Sequence, residues 1–254
     1  MALLRDGPWS RRRRAHLEVL LLRRPARSAF AASAEVFPGG AVDPADLELS
    51  WHGLLDGGAD QLAVDPGLVV AAIRETFEEC GVLLARERGG RACSPTAFAA
   101  LAPLRQGPGA ADPRALLEGM RRVELRPAWE DLRYCAHWVT PEGSPRIFDT
   151  RFFLAALPPG QCPSLVDQGE VDSMRWAEPR AALAEAEQVR TLLLLPTRSL
   201  LSRLMPQPSV AAALRAAAGW RVDRIQPRLE DVTSNRYPGL DLGATSGIGP
   251  GDGG

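Results

Sequence analysis

Residues 65–82, DPGLVVAAIRETFEECGV, carry their own start and stop signals, and no other stretch constrains the chain as much. Asp65 suits a helix N-cap, and Pro66 suits a first turn, where a missing amide hydrogen costs nothing. Gly81 stands where a helix closes in the left-handed conformation. At 100° per residue, Glu75, Glu78 and Glu79 fall within about a 100° arc, and Val69, Ile73 and Phe77 fall opposite. The apolar side predicts a core contact. The other side gathers three carboxylates, which repel one another unless a cation lies between them. Hard divalent cations take carboxylate oxygens and keep water in their remaining positions. A solvated acidic face has the same pattern, so E-x-x-E-E alone does not decide the matter.

Around this helix the chain alternates short apolar runs with helical segments. Residues 17–24 (LEVLLLRR) form an apolar run ended by charge and Pro25, and they read as a strand. Phe37-Pro38-Gly39-Gly40 reads as a tight turn. Residues 51–67 read as a loop, and Asp112-Pro113 opens a second helix expected to run to about Arg126. Strands are expected over 134–140, 147–157 and 171–176, and helices over 181–190 and 200–205. Phe148, Phe152 and Phe153 alternate across the second of these strands, so only one face of that set can line a pocket. From Pro238 the chain is Gly-, Ser- and Asp-rich, too poor in apolar residues to fold. The expectation is one α/β domain over 1–237 followed by a disordered tail over 238–254.

Composition excludes some functions. The formal net charge is −1, which gives no bulk attraction for nucleic acid or an anionic membrane. All 30 basic residues are arginine, a residue that clamps phosphate with two parallel hydrogen bonds. The four cysteines, Cys80, Cys93, Cys135 and Cys162, are scattered, and His16, His52 and His137 lie at no metal-ligand spacing. Free thiols and a cytoplasmic location are expected. No run approaches the roughly 20 apolar residues of a membrane span. The arginines at 11–14 precede an apolar run too short for a secretory signal.

The segment 74–82, RETFEECGV, resembles the second half of the Nudix box, Arg-Glu-U-x-Glu-Glu-x-Gly-U, with U aliphatic or small. Phe37-Pro38-Gly39-Gly40 is similar to the strand end and glycine turn that open that box. Two positions depart from the pattern. Asp46 stands where the box has a glutamate, with Asp43 as an alternative, and the spacer before Arg74 is about 20 residues longer than the box allows, which costs little entropy if its ends stay fixed. An interrupted box is found in the Nudix branch of peroxisomal coenzyme A diphosphatases. Residues 138–141 (WVTP) and 148–153 (FDTRFF) support the likeness, which covers roughly residues 17–205. The signature for coenzyme A upstream of the glycine turn is partial: Leu21-Leu22, Arg23-Arg24 and Arg27-Ser28 are present, but no glycine lies between Arg24 and Gly39.

The resemblance implies a Nudix fold, a mixed β-sheet sandwiched between α-helices, with an insertion inside the box. It implies Mg2+ or Mn2+ held by Glu75, Glu78 and Glu79, with Glu79 carrying the essential ion and Arg74 fixing a glutamate rotamer. Gly39 and Gly40 would let backbone approach phosphate, and Glu170 would add a metal ligand or general base from its loop. Arg23, Arg24 and Arg151 are expected phosphate contacts. The implied reaction is hydrolysis of a small-molecule diphosphate, first coenzyme A or its thioesters. The alternatives are NADH, ADP-ribose or a capped nucleotide, or a Nudix domain that binds nucleotide without cutting it. Self-association into a homodimer is left open.

Overall fold

The computed structural model describes residues 1–8, 16–28, 31–55, 62–106, 112–166, 171–188 and 190–229. In chain order the strands and helices are β1 (Ala2–Asp6), β2 (Leu17–Arg23), β3 (Ala34–Val36), α1 (Leu49–His52), α2 (Pro66–Cys80) and β4 (Ala85–Glu87). Next come α3 (Pro95–Leu101), α4 (Pro113–Arg122), β5 (Leu125–Pro127), β6 (Arg133–Val139), β7 (Asp149–Ala156) and β8 (Ser173–Ala177). The last are α5 (Pro179–Glu187), β9 (Leu192–Leu193), α6 (Leu195–Leu204), α7 (Val210–Ala218) and β10 (Arg224–Ile225).

One mixed sheet runs β10-β6-β7-β1-β2-β3-β9, with β8 also on β2. β2 is its hub. It pairs antiparallel with β1 through residues 17–19 and with β3 through 22–23, while β8 pairs with 19–23. Residues 19, 22 and 23 therefore have β8 on one edge and β1 or β3 on the other, so β1 and β3 lie end to end along the same edge. The Met1 nitrogen closes that seam by donating to the Pro38 carbonyl at 2.5 Å.

A strand buried on both faces cannot alternate polar with apolar, which is why Val19, Leu20, Leu21 and Leu22 follow one another without a polar residue. Alternate residues serve opposite cores. Leu3, Leu20, Leu22 and Phe153 pack with Val69, Ile73 and Phe77 of α2. Leu4, Val19, Leu21 and Leu154 pack with Leu200, Leu201 and Leu204 of α6 and Ala213 and Ala217 of α7. Helices thus cover both faces of a mixed sheet, the layering that the sequence leads one to expect. No helix among the described residues is long and apolar enough to cross a membrane.

Two local expectations are corrected. The second helix stops at Arg122 instead of continuing to 126, because Glu124 takes φ +55° and 125–127 pair with 85–87 as β5. Residues 51–67 are not all loop: α1 begins the segment, with Trp51 and Leu55 buried, and α2 already starts at Pro66. β1, α3 and α7 lie in stretches for which no element is expected.

Candidate active site

Helix α2 forms as its capping residues dictate. The Asp65 carboxylate accepts from Gly67 N–H, and Gly81 ends the helix at φ +69°, with its amide on the Phe77 carbonyl. Val69, Ile73 and Phe77 are at most 2% exposed. That buried stripe turns Glu75, Glu78 and Glu79 away from the core, along the Phe37-to-Gly40 turn.

The turn touches the acidic face directly. Gly39, at φ +146°, donates its amide to Glu79 Oε2 at 2.7 Å. A Cβ on Gly40 would lie 2.5 Å from Glu75 Oε2, so only glycine allows this approach.

Arg74 organises the remainder. Its Nε and Nη2 donate to Asp46 Oδ1 and Oδ2 at 2.9 and 2.8 Å, a fork on a carboxylate. Nη1 donates to Glu75 Oε1 and Glu78 Oε2, both at 2.8 Å, and Nη2 to the Ala41 carbonyl at 3.0 Å. Arg74 is 5% exposed and Asp46 1%. The acidic partners hold the guanidinium pKa above its usual range despite burial, so Arg74 stays charged. One cation faces three carboxylates, and the imbalance shows in Glu78. Burial, reinforced by Glu75, pushes its carboxyl up to about 7 even with Arg74 beside it.

Asp46 and Asp43 have distinct roles. Asp43 caps the 3-10 turn Pro44–Leu47 by accepting from Ala45 N–H, and Asp46 Oδ2 accepts from Asp43 N–H as well as from Arg74. Of the two, Asp46 is therefore the one that pairs with the arginine.

Beneath the site, Arg105 anchors the last turn of α2. Its guanidinium donates to the Glu78 carbonyl at 3.2 Å and to Ser164 Oγ and the Ser164 carbonyl at 3.0 and 2.7 Å. Ser164 N–H in turn donates to the Cys80 carbonyl. Neither residue is legible as part of the site from sequence, because nothing in their local pattern reports a contact so distant along the chain.

The other expected contacts are dispersed. Arg23 is exposed at the end of β2. Arg24 follows it, with its Nε buried and lacking a partner among the described residues. Arg151, on β7 opposite His137, donates to Asp149 Oδ1 at 2.5 Å, and that carboxylate also bonds His137 Nε2 at 2.6 Å. Glu170 lies outside the described residues. Phe153 and Trp138 are core, Phe152 packs edge-on to Phe37, and Phe148 is exposed.

Chemically, the donor set suits a hard divalent cation: carboxylates only, on one helix face, beside backbone free of side chains. With Glu75 and Glu78 turned to Arg74 and Glu79 to Gly39, no three acidic, His or Cys groups among the described residues are drawn into a closed cage. Magnesium does not need one, since it is held by one or two carboxylates and keeps several waters.

Comparison with known proteins identifies the family of the domain. The model of the NUDT19 Nudix domain matches residues 57–204, more than half of the chain. Acyl-coenzyme A diphosphatase NUDT19 from Gallus gallus is 32% identical over 209 residues, covering 65% of this chain and 55% of the relative. Its Homo sapiens counterpart is 32% identical over 216 residues, covering 65% and 54%. The chain thus spans a little over half the length of these relatives. The crystal structure of a NUDIX hydrolase from Alicyclobacillus acidocaldarius superposes with a TM-score of 0.66 at 28% identity, covering 89% of this chain and 95% of that one. With its box residues assembled on α2 and its domain matched over 57–204, the chain belongs to the Nudix hydrolase family, in the branch of the NUDT19 Nudix domain.

Proposed function

We propose that the chain hydrolyses the diphosphate linkage of coenzyme A or an acyl-coenzyme A, using Mg2+ or Mn2+. The observation that carries the reading is the acidic face of α2, with Glu79 tied to Gly39 N–H and Glu75 against Gly40. The names of the Gallus gallus and Homo sapiens relatives support the choice of substrate.

Glu75, Glu78 and Glu79 are the proposed ligands, with Arg74 setting the orientation of the first two. A bound divalent cation supplies charge neutralisation on the diphosphate and activation of water. The Gly39-Gly40 backbone leaves room for phosphate oxygens, and Arg23, Arg24 and Arg151 remain candidate phosphate contacts. Glu170 is kept as a candidate base. In the net reaction water adds to one phosphorus and the bridging oxygen leaves with the other phosphate. Coenzyme A would give 3′,5′-ADP and 4′-phosphopantetheine. Cytoplasmic residence is part of the proposal, in keeping with Cys80, Cys93, Cys135 and Cys162 all being free thiols.

The test is mass-spectrometric product analysis of the pure protein incubated with a mixed pool of diphosphate metabolites and Mg2+ or Mn2+. Release of 3′,5′-ADP from the coenzyme A species is the expected result. Cleavage of NADH, ADP-ribose or capped nucleotides in preference would reassign the substrate, and tight binding without products would make the domain a binder. Glu79→Gln is expected to keep the fold and lose at least about a hundredfold in turnover, several kcal/mol of transition-state stabilisation.

A further inference from the structure

The insertion between the glycine turn and α2 begins as a part of the core. Trp51, on α1, is 1% exposed and Leu55 2%. The indole Nε1–H donates to the Ala45 carbonyl at 3.1 Å, and Ala45 immediately precedes Asp46, the two being the buried residues of the 3-10 turn. Helix α4 braces the same segment from outside: the Arg114 guanidinium donates to the Glu48 carboxylate, and Arg121 donates to the Ser50 carbonyl at 2.7 Å. Asp46 itself is held at both oxygens, by the Arg74 fork and by Asp43 N–H. A continuous chain of directed contacts therefore leads from the insertion to the acidic face. It runs from Trp51 to the turn, from the turn to Asp46, from Asp46 to Arg74, and from Arg74 to Glu75 and Glu78.

We propose that Trp51 is a positioning residue for the cation-binding face, acting through Asp46 and Arg74, and that this is a task of the inserted segment. The inference rests on Glu75, Glu78 and Glu79 being cation ligands. A fork of two hydrogen bonds is sensitive to angle, so a turn released from the indole would let Asp46 tilt and Arg74 follow. Glu75 and Glu78 would then lose the geometry set by the guanidinium. A tryptophan that only filled the core would alter stability and leave cation affinity alone.

The test is calorimetric titration of Mn2+ into the full chain as the parent, Trp51→Phe, Asp46→Asn and the double variant. Phenylalanine keeps an aromatic ring in the core but cannot donate to Ala45. Asp46→Asn is expected to weaken Mn2+ binding by about tenfold or more, the usual effect of losing a partner behind a metal ligand. Trp51→Phe is expected to weaken it by about threefold or more in the same direction. The double variant should bind no more weakly than Asp46→Asn, because both changes act on one contact chain. Effects that multiply in the double variant would overturn the proposal, as would parent-like Mn2+ binding by a Trp51→Phe protein whose melting temperature has fallen. Should Trp51→Phe fail to fold, Arg121→Gln cuts the exposed strut to Ser50 instead, and parent-like affinity there would count against the tether. If the parent itself takes up no Mn2+, the cation reading fails and takes the tether with it; normal uptake with an indifferent Trp51→Phe sinks the tether alone.

Discussion

Replacing Arg74 by alanine should be among the most damaging single changes in the α2 region. The side chain is 6% exposed, and its fork partner Asp46 has a side-chain exposure of 0%. Truncation would leave the Asp46 carboxylate buried with Asp43 N–H as its remaining described donor, and would remove the positive charge shared by Glu75 and Glu78. Breaking a buried ion pair by removing one partner costs about 3–5 kcal/mol, since the surviving charge stays desolvated. For a domain of this size each kcal/mol lowers the melting temperature by roughly 2–4 °C, so the drop should be roughly 6–20 °C. Arg74→Lys should fall between parent and alanine, because an ammonium keeps the charge but cannot hold both Asp46 oxygens and both glutamates at once. Thermal unfolding followed by far-UV circular dichroism in EDTA measures all three. Unfolding of Arg74→Ala within about 2 °C of the parent would refute the claim that this network is buried and stabilising.

Three further outcomes follow from particular contacts. Gly40→Ala brings a methyl to 2.5 Å from Glu75 Oε2, a flexible carboxylate end that can swing aside, so the melting temperature should change little while Mn2+ affinity measured by calorimetry falls. In the metal-free protein the raised Glu78 carboxyl contributes stability that is fully present below its ordinary 4.5 and lost as pH rises through about 7. Urea midpoints in EDTA should therefore decline across that window, and Glu78→Gln should flatten the slope. Arg105→Met removes the donors on the half-buried Glu78 carbonyl and on Ser164, and should cost about 1–3 kcal/mol in denaturant unfolding, the usual worth of hydrogen bonds from a charged donor.

What was legible in the sequence was what is encoded locally. α2 has its N-cap, its proline and its terminal glycine within its own length, and its bounds lie where those residues put them. β2 is legible because burial on both faces leaves the apolar run Val19 to Leu22 at its centre. The second helix overran its end since nothing between Arg122 and Arg126 announces the antiparallel partner 85–87, which wins those residues for β5. β1 is hidden for a similar reason: ALLRD becomes a strand through its parallel pairing with residues 154–156 of β7, a partner far along the chain. α3 and α7 did carry signals, a Ser94-Pro95 start and a Ser209 cap, in stretches of small and alanine-rich residues where the apolar period is weak.

The site divides along the same line. The acidic arc and the glycine turn could be read from spacing. That they meet, with Gly39 N–H on Glu79, depends on β3 being delivered to the end of α2 by the sheet. The choice between Asp43 and Asp46 could not be made from spacing, because each is short, acidic and suitably placed after the glycines. Burial and the fork decide it, since Asp46 faces Arg74 and Asp43 faces its own turn.

On the proposed function, α2 and the glycine turn together hold a divalent cation against a diphosphate. Anomalous scattering from crystals soaked in Mn2+ with a non-hydrolysable coenzyme A analogue tests it most directly. A manganese peak is expected within about 2.3 Å of carboxylate oxygens from Glu75, Glu78 or Glu79, in contact with the analogue's diphosphate beside Gly39 and Gly40. A peak elsewhere, or an analogue bound with no manganese on α2, would contradict it.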